Sequence, residues 1–333
     1  MIQPIPSATY RIQMRGDVHF GHVEQQLDYL KNLGISHLYL SPIFAAGKGS
    51  THGYDVIDPT VVEPSLGGRD GFEKLARAAH AIGLGIILDI VPNHTAFTLE
   101  NGWLRDVLKH GEKSPFAPYF DIDWAAGPIV LPLLPEPFDA MLAQGAFTVE
   151  NGNWRYDGVE VPLAPGHDRA VSADDLSMLH NQQHWRLRHW ELERDGISHR
   201  RFFNVTSLVG MRVEDPAVFE ATHRLIIDLV EAGLVDGLRV DHIDGLADPK
   251  GYLDQLAKVL PDTPVWVEKI LVGDEALDRQ WKAVGTTGYE AARLIARLLT
   301  KADGIGTLDA QWRDYTGISE DFPSALNAAK LSI

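Results

Sequence analysis

LGIILDIVPNH, residues 84–94, is an apolar run that carries one internal carboxylate, Asp89, and ends in an Asn-His pair. Leu84 to Val91 lacks the in–out alternation of a half-solvated strand. It reads as a strand covered on both faces, the kind found in parallel sheets. Working outward, the residues before it, Phe72, Leu75, Ala79 and Ile82, recur at helical spacing. Upstream again, ISHLYLSP (35–42) reads as a strand, and Val23, Leu27, Leu30 and Leu33 mark a helix closed by Gly34. ATYRIQM (8–14) is the first strand. The rhythm returns downstream. A helix face of Phe219, Leu225, Ile226, Leu229 and Val230 precedes the strand VDGLRV. A helix from Tyr252 to Leu260 then leads to PVWVEKIL (264–271).

Repeated strand–helix units build either a doubly wound sheet or an eight-stranded barrel. No GxGxxG turn follows the first strand, which disfavours the dinucleotide-binding sheet and favours the barrel. Between residues 95 and 215 the alternation breaks, and eight of the 19 prolines fall between Pro115 and Pro165. The expected organisation is therefore a first barrel part over 1–94, a loop-rich inserted subdomain over 95–215, and a continuation of the barrel over 216–333. Asp89 and Asp241 are 152 residues apart; one βαβ step takes roughly 30. An insertion of about 120 residues leaves about 210 for a barrel that usually needs roughly 250. The expectation is an incomplete barrel, with strands one to about five or six.

The 333 residues carry 46 acidic against 30 basic side chains, a net charge of −16, and no cysteine. No basic stripe suits a nucleic-acid backbone, and disulfides, thiolate metal sites and cysteine nucleophiles are excluded. The opening MIQPIPSATY has no signal-peptide pattern and no apolar run approaches a membrane span. A cytoplasmic protein with no nucleic-acid or membrane partner is expected.

Barrel active sites gather at the C-terminal ends of strands. The ends here supply His52, Tyr54 and Asp55 in the loop after strand two, and Asp89, Asn93 and His94 at strand three. Strand four supplies Arg239, Asp241 and His242, and strand five supplies Glu268 and Lys269. Paired carboxylates on adjacent strands suit retaining glycoside chemistry, in which one attacks the anomeric carbon and the other is acid and then base. Arg239 shares a strand face with Asp241 and is placed to hold it ionised. Singly, each has an ordinary structural explanation: Asp241 a helix cap, His94 a satisfied core histidine, Tyr54 a core ring. Their recurrence at four successive strand ends is what points to a site. The spacing of His180, His184 and His189 is only weakly metal-like, because no carboxylate frame lies near.

DIVPNH (89–94), GLRVDH (237–242) and the glutamate of VWVEK (265–269) resemble three sequence regions of the α-amylase family of glycoside hydrolases. GSTHGYDVIDP, SPFAPYFDIDW, HRRFFNV and GTTGY, in family order, narrow the resemblance to its branch of trehalosyl-forming glucan mutases. That resemblance implies an isomerase acting on maltooligosaccharides, turning the reducing-end α-1,4 linkage into an α,α-1,1 linkage; no cofactor and no metal-ligating residue are assigned. It implies Asp241 as nucleophile and Glu268 as acid and base, with Arg239 orienting Asp241. Tyr54, His52, His94, His242 and Lys269 would meet the sugar, and Asp55, Asp89 and Asn93 would shape the site. Trp103, Trp124, Trp154, Trp185 and Trp190 are candidates for a wall around the released glucose, although at least half are expected to be ordinary packing. The resemblance also implies a third carboxylate near a seventh strand; Asp314 and Asp321 sit in no matching motif, so the chain is expected to be the N-terminal part of a longer enzyme. An α-glucan hydrolase or transglycosylase, or a glucan-binding fragment without turnover, are the competing expectations.

Overall fold

The computed structural model describes residues 5–167, 175–193 and 196–332. Two compact units are present: Met1–Lys269 with Ala276–Thr287, and Ile270–Glu275 with Gly288–Ile333.

The first unit is organised on six parallel strands, β1 (Thr9–Ile12), β2 (His37–Leu40), β3 (Gly85–Ile90), β4 (Gly237–Val240), β5 (Val265–Val267) and β6 (Gly285–Thr286). Their spatial order equals their sequence order, with every neighbouring pair parallel. A doubly wound sheet reverses its order part-way, whereas a barrel winds in one direction. The order therefore selects barrel winding. All six residues of β3 and all four of β4 are buried, as the unbroken apolar runs require. β1 is mostly exposed, as one edge of this sheet.

Helices α1 (Phe20–Gln25), α2 (Leu27–Asn32) and α3 (Gly68–Ala81) alternate with the first strands. The expected single helix over 23–33 is broken at Gln26, although Val23, Leu27 and Leu30 still share a buried side; Leu33 is exposed. Gly34 has φ +91°, the left-handed geometry a helix-ending glycine supplies without steric cost. Helix α4 (Pro216–Glu231) starts where the Asp215 carboxylate accepts from the Ala217 amide, with Pro216 at the first helical position. Asp248 caps α5 (Pro249–Val259) in the same manner. The strand expected over 264–271 is shorter, because Lys269 turns to pair with Asp244 and Ile270 already belongs to the second unit. The sixth strand lies in the GTTGY stretch.

Residues 95–215 hold a three-stranded antiparallel sheet (Thr148–Glu150, Asn153–Tyr156, Val159–Pro162) and a parallel pair (Ile129–Leu134 with Trp185–His189). The strand His94–Ala96, directly after β3, pairs antiparallel with Leu208–Gly210. Both ends of this segment are thereby tied at the rim of the parallel sheet. Trp154 and Trp185 are fully buried, edge to face at 6.1 Å between ring centres. They are core, as are the stacked Phe138 and His180.

The second unit contains helices α6 (Tyr289–Leu299), α7 (Ile305–Thr316) and α8 (Phe322–Leu331), and Arg293 donates to the Gly273 carbonyl within it. No helix among the described residues is long and apolar enough to cross a membrane.

Candidate active site

Parallel register sets the site. Val240 of β4 is level with Ile90 of β3 on one side and Val267 of β5 on the other. Asp241 and Glu268 each follow the last residue of their strand, and their amides close the ladder onto Ile90 and Val240 carbonyls at 2.9 and 2.8 Å. Two carboxylates thus leave adjacent strands at the same end of the sheet.

Arg239 sits between them and is 6% exposed. Its Nη1 donates to Asp89 Oδ1 at 2.8 Å and to Asp241 Oδ1 at 2.7 Å, and its Nη2 is 3.1 Å from Glu268 Oε1. One guanidinium therefore serves three carboxylates. Asp89 is fully buried and also accepts from the hydroxyls of Tyr39 (2.9 Å) and Tyr54 (2.6 Å). Arg11 donates to the Tyr54 hydroxyl at 3.0 Å.

Three negative groups on one cation cannot all ionise easily. Burial, with Asp89 and Glu268 adding to it against Arg239, pushes the Asp241 carboxyl up to about 7. Burial raises Asp89 as well, against Arg239. Burial alone would lower Arg239, but the facing Asp89, Tyr39, Asp241 and Glu268 raise it, so it stays charged. The cluster consequently carries a proton near neutrality, a property of the group rather than of one member.

His242 adopts the left-handed conformation at φ +46°, uncommon for a residue with a side chain, and this aims its amide at Glu268 Oε2 at 2.9 Å. Gly245 makes the turn possible: a Cβ there would stand 2.2 Å from His242 Cδ2 and 2.6 Å from Asn93 Oδ1. His94 is 2% exposed, its ring 4.7 Å from Phe202, which in turn lies 4.7 Å from His242. Burial first, then His242 and Arg200, lower His94 to about 3, so it is a neutral imidazole.

The structure thus joins Asp89, Asp241, Glu268, Arg239 and Tyr54 in one hydrogen-bonded cluster, flanked by His94, Asn93 and His242. His52 is exposed beside Tyr54, with ring centres 5.9 Å apart. Asp55 is held by the Ser50 hydroxyl and serves its own loop. Lys269 pairs with Asp244 at 3.1 Å, over the turn after β4. Arg11, Tyr39, Arg200 and Phe202 belong to the site but were missing from the sequence reading. Arg11 and Tyr39 are polar residues inside otherwise β-patterned strands and face each other in register, which is a readable signal. Arg200 and Phe202 come from the irregular segment and have no periodicity to betray them.

Other expected roles are distributed differently. Trp103 stacks on Phe116, and Trp190 is exposed. His180 accepts from the Leu187 amide and His189 bonds the Pro135 carbonyl, so these histidines have separate duties. Among the described residues no group of three metal-ligating side chains converges. Asp321 caps α8, and Asp314 is exposed on α7.

The family profile "Alpha amylase, catalytic domain" matches residues 13–272. A Mycobacterium tuberculosis protein provisionally named maltooligosyl trehalose synthase is 46% identical over 314 residues, covering 91% of this chain and 40% of its own length. The structure of maltooligosyltrehalose synthase from Arthrobacter ramosus superposes with a TM-score of 0.89 at 40% identity, covering 96% of this chain and 42% of that one. A debranching enzyme from Nostoc punctiforme shares the fold, at a TM-score of 0.55 and 19% identity over 84% of this chain and 50% of that one. The chain therefore spans about 40% of the length of these two maltooligosyltrehalose synthase relatives. With the profile covering most of the chain and the strand-end carboxylates in place, this protein belongs to the α-amylase catalytic-domain family.

Proposed function

We propose that the site carries intramolecular transglycosylation on maltooligosaccharides, the isomerase chemistry of a (1→4)-α-D-glucan 1-α-D-glucosylmutase. The observation that carries it is the single Arg239 guanidinium holding Asp241 and Glu268 from adjacent strand ends. A bridge of that kind suits the closely spaced carboxylates of retaining chemistry, about 5 to 5.5 Å apart, better than the wider spacing of inversion.

Asp241 attacks the anomeric carbon of the sugar next to the reducing end while Glu268 gives its proton to the departing O4. This breaks the α-1,4 bond and forms a glycosyl ester on Asp241. The freed glucose reorients, Glu268 takes the proton of its anomeric hydroxyl, and that oxygen displaces Asp241 to form the α,α-1,1 bond. Two displacements retain configuration and no water is consumed. The first step requires Glu268 to hold a proton and Asp241 to have lost its own, with Arg239 paired to the Asp241 carboxylate. Arg239 leaves the Asp241 carboxylate oriented, Tyr54 offers its ring face with its hydroxyl tethered, and His94, His52, His242 and Lys269 line the sugar's approach. Asp55, Asp89 and Asn93 shape the site. Residues 95–215, as an insertion into a barrel that the chain builds through its sixth strand, would wall the pocket and keep water from the ester.

Incubation of the protein with maltopentaose, following reducing ends and free glucose together, tests this. Loss of reducing ends without glucose release, abolished by Asp241→Asn, is the expected result. A rise in reducing ends would instead identify a hydrolase, and binding without turnover a glucan-binding role.

A further inference from the structure

Arg200 lies in the HRRFFNV stretch, far from the strand-end motifs, yet its guanidinium reaches four oxygens from four places. Nε donates to Asp121 Oδ2 at 2.7 Å, and Nη1 donates to Asn93 Oδ1 at 2.9 Å and to the Gly245 carbonyl at 3.2 Å. Nη2 donates to the Met211 carbonyl at 3.2 Å. The backbone is shaped around this group. A Cβ on Gly210 would stand 2.6 Å from Arg200 Cζ, so a side chain there would push the guanidinium out of this seat.

A guanidinium has donors and no acceptor. The atom of Asn93 facing it must therefore be the oxygen, which fixes which way the amide is turned. The Asn93 amino group then faces His94 Nδ1, at 3.1 Å. That amino group can only donate, so Nδ1 must accept and carry no hydrogen. In a neutral imidazole the proton then sits on Nε2. His94 Nε2 is buried and has no partner in the protein. It is a donor for which the protein supplies no acceptor.

We infer that Arg200 is a positioning residue that acts through Asn93 to lock His94 as the Nε2–H tautomer, presenting one fixed donor to a hydroxyl acceptor of the bound sugar. The same guanidinium ties Asp121 and the 95–215 segment to the turns after β3 and β4, so the donor is set only when that segment is seated. Burial, which keeps the ring uncharged, leaves the tautomer as its remaining variable. What Nε2–H meets rests on the glucan reading of the site; the tautomer does not.

Histidine ring nitrogen NMR on the whole, ligand-free protein reads the tautomer directly. The wild type is expected to show His94 with Nε2 protonated and Nδ1 bare. Arg200→Lys, still donor-only, should keep that pattern. Asn93→Asp presents only acceptor oxygens to Nδ1 and can still pair with Arg200, so it should move the proton to Nδ1. Arg200→Met, checked for folding by near-ultraviolet circular dichroism, should give a mixture. A wild-type Nδ1–H, or an unchanged Nε2–H in both Asn93→Asp and folded Arg200→Met, overturns the inference. Because no glucan is added, either result leaves the maltopentaose assay to be decided on its own.

Discussion

Arg239 and Asp241 stand two residues apart along β4 and its rim, on the same side of the strand, joined by a 2.7 Å ion pair in which the arginine is also the partner of Asp89. The pair is therefore part of a buried ionic cluster whose cation is shared. Removing the cation strands Asp89, which has no solvent exposure.

Arg239→Met should destabilise the protein by about 3–5 kcal/mol, the usual result of leaving a buried charge unpaired. Arg239→Lys should recover part of the loss, because an ammonium restores charge but cannot fork between three carboxylates. Urea unfolding with an unchanged slope measures both. A loss under about 1 kcal/mol for the methionine variant would mean that Asp89 is neutral in the fold and the cluster is not ionic.

Asp241 gives a stability component whose sign follows from its raised pKa. Burial and the neighbouring Asp89 and Glu268 bring its carboxyl to about 7 against the pull of Arg239; an unfolded aspartate titrates near 3.9. The folded protein binds the extra proton between those values. The component is complete below about pH 4 and is lost as pH rises through about 7. Asp241→Asn cannot titrate, so it should gain on the wild type by a few kcal/mol between pH 4 and 8. A constant difference across that range would show that Asp241 is ionised throughout.

The strand and helix rhythm was legible because β3 and β4 bury every residue and their apolar runs admit no other reading. The convergence of Asp241 and Glu268 at adjacent strand ends was legible for the same reason, since carboxylates that end such runs need a purpose. What could not be read was the partnership. Sequence placed Arg239 beside Asp241 alone, and only the register of β3 against β4 brings Asp89 onto the same guanidinium. The pairing of Lys269 with Asp244 could not be read either, because strand alternation says nothing after a strand stops, and here it stops at Val267. Arg200 lay outside any periodic element, and its 107-residue separation from Asn93 is bridged by tertiary pairing.

Four histidines should steepen acid unfolding. Burial lowers His94 and His180 to about 3 and His199 and His223 to about 4, in each case as the leading cause. Their unfolded values lie near 6.5, so below that pH the unfolded chain binds more protons and stability falls as pH falls. Each group contributes up to about 1.4 kcal/mol per pH unit, with Asp241 opposing them over part of the range. Urea midpoints should drop clearly from pH 6.5 to 4.5. Equal midpoints at the two values would mean these rings take up protons without unfolding.

Tyr54 separates a tether from a platform. Its hydroxyl donates to Asp89 Oδ2 at 2.6 Å, but Asp89 keeps Tyr39 and Arg239 when that bond is lost. Tyr54→Phe should therefore cost only about 1–2 kcal/mol of stability while the ring remains in place. Maltopentaose affinity by calorimetry should stay within about threefold for Tyr54→Phe and fall about tenfold or more for Tyr54→Ala, a difference near 1.4 kcal/mol. If both variants lose affinity equally, the hydroxyl network and not the ring face holds the sugar. If neither does, the glucan lies elsewhere on the rim.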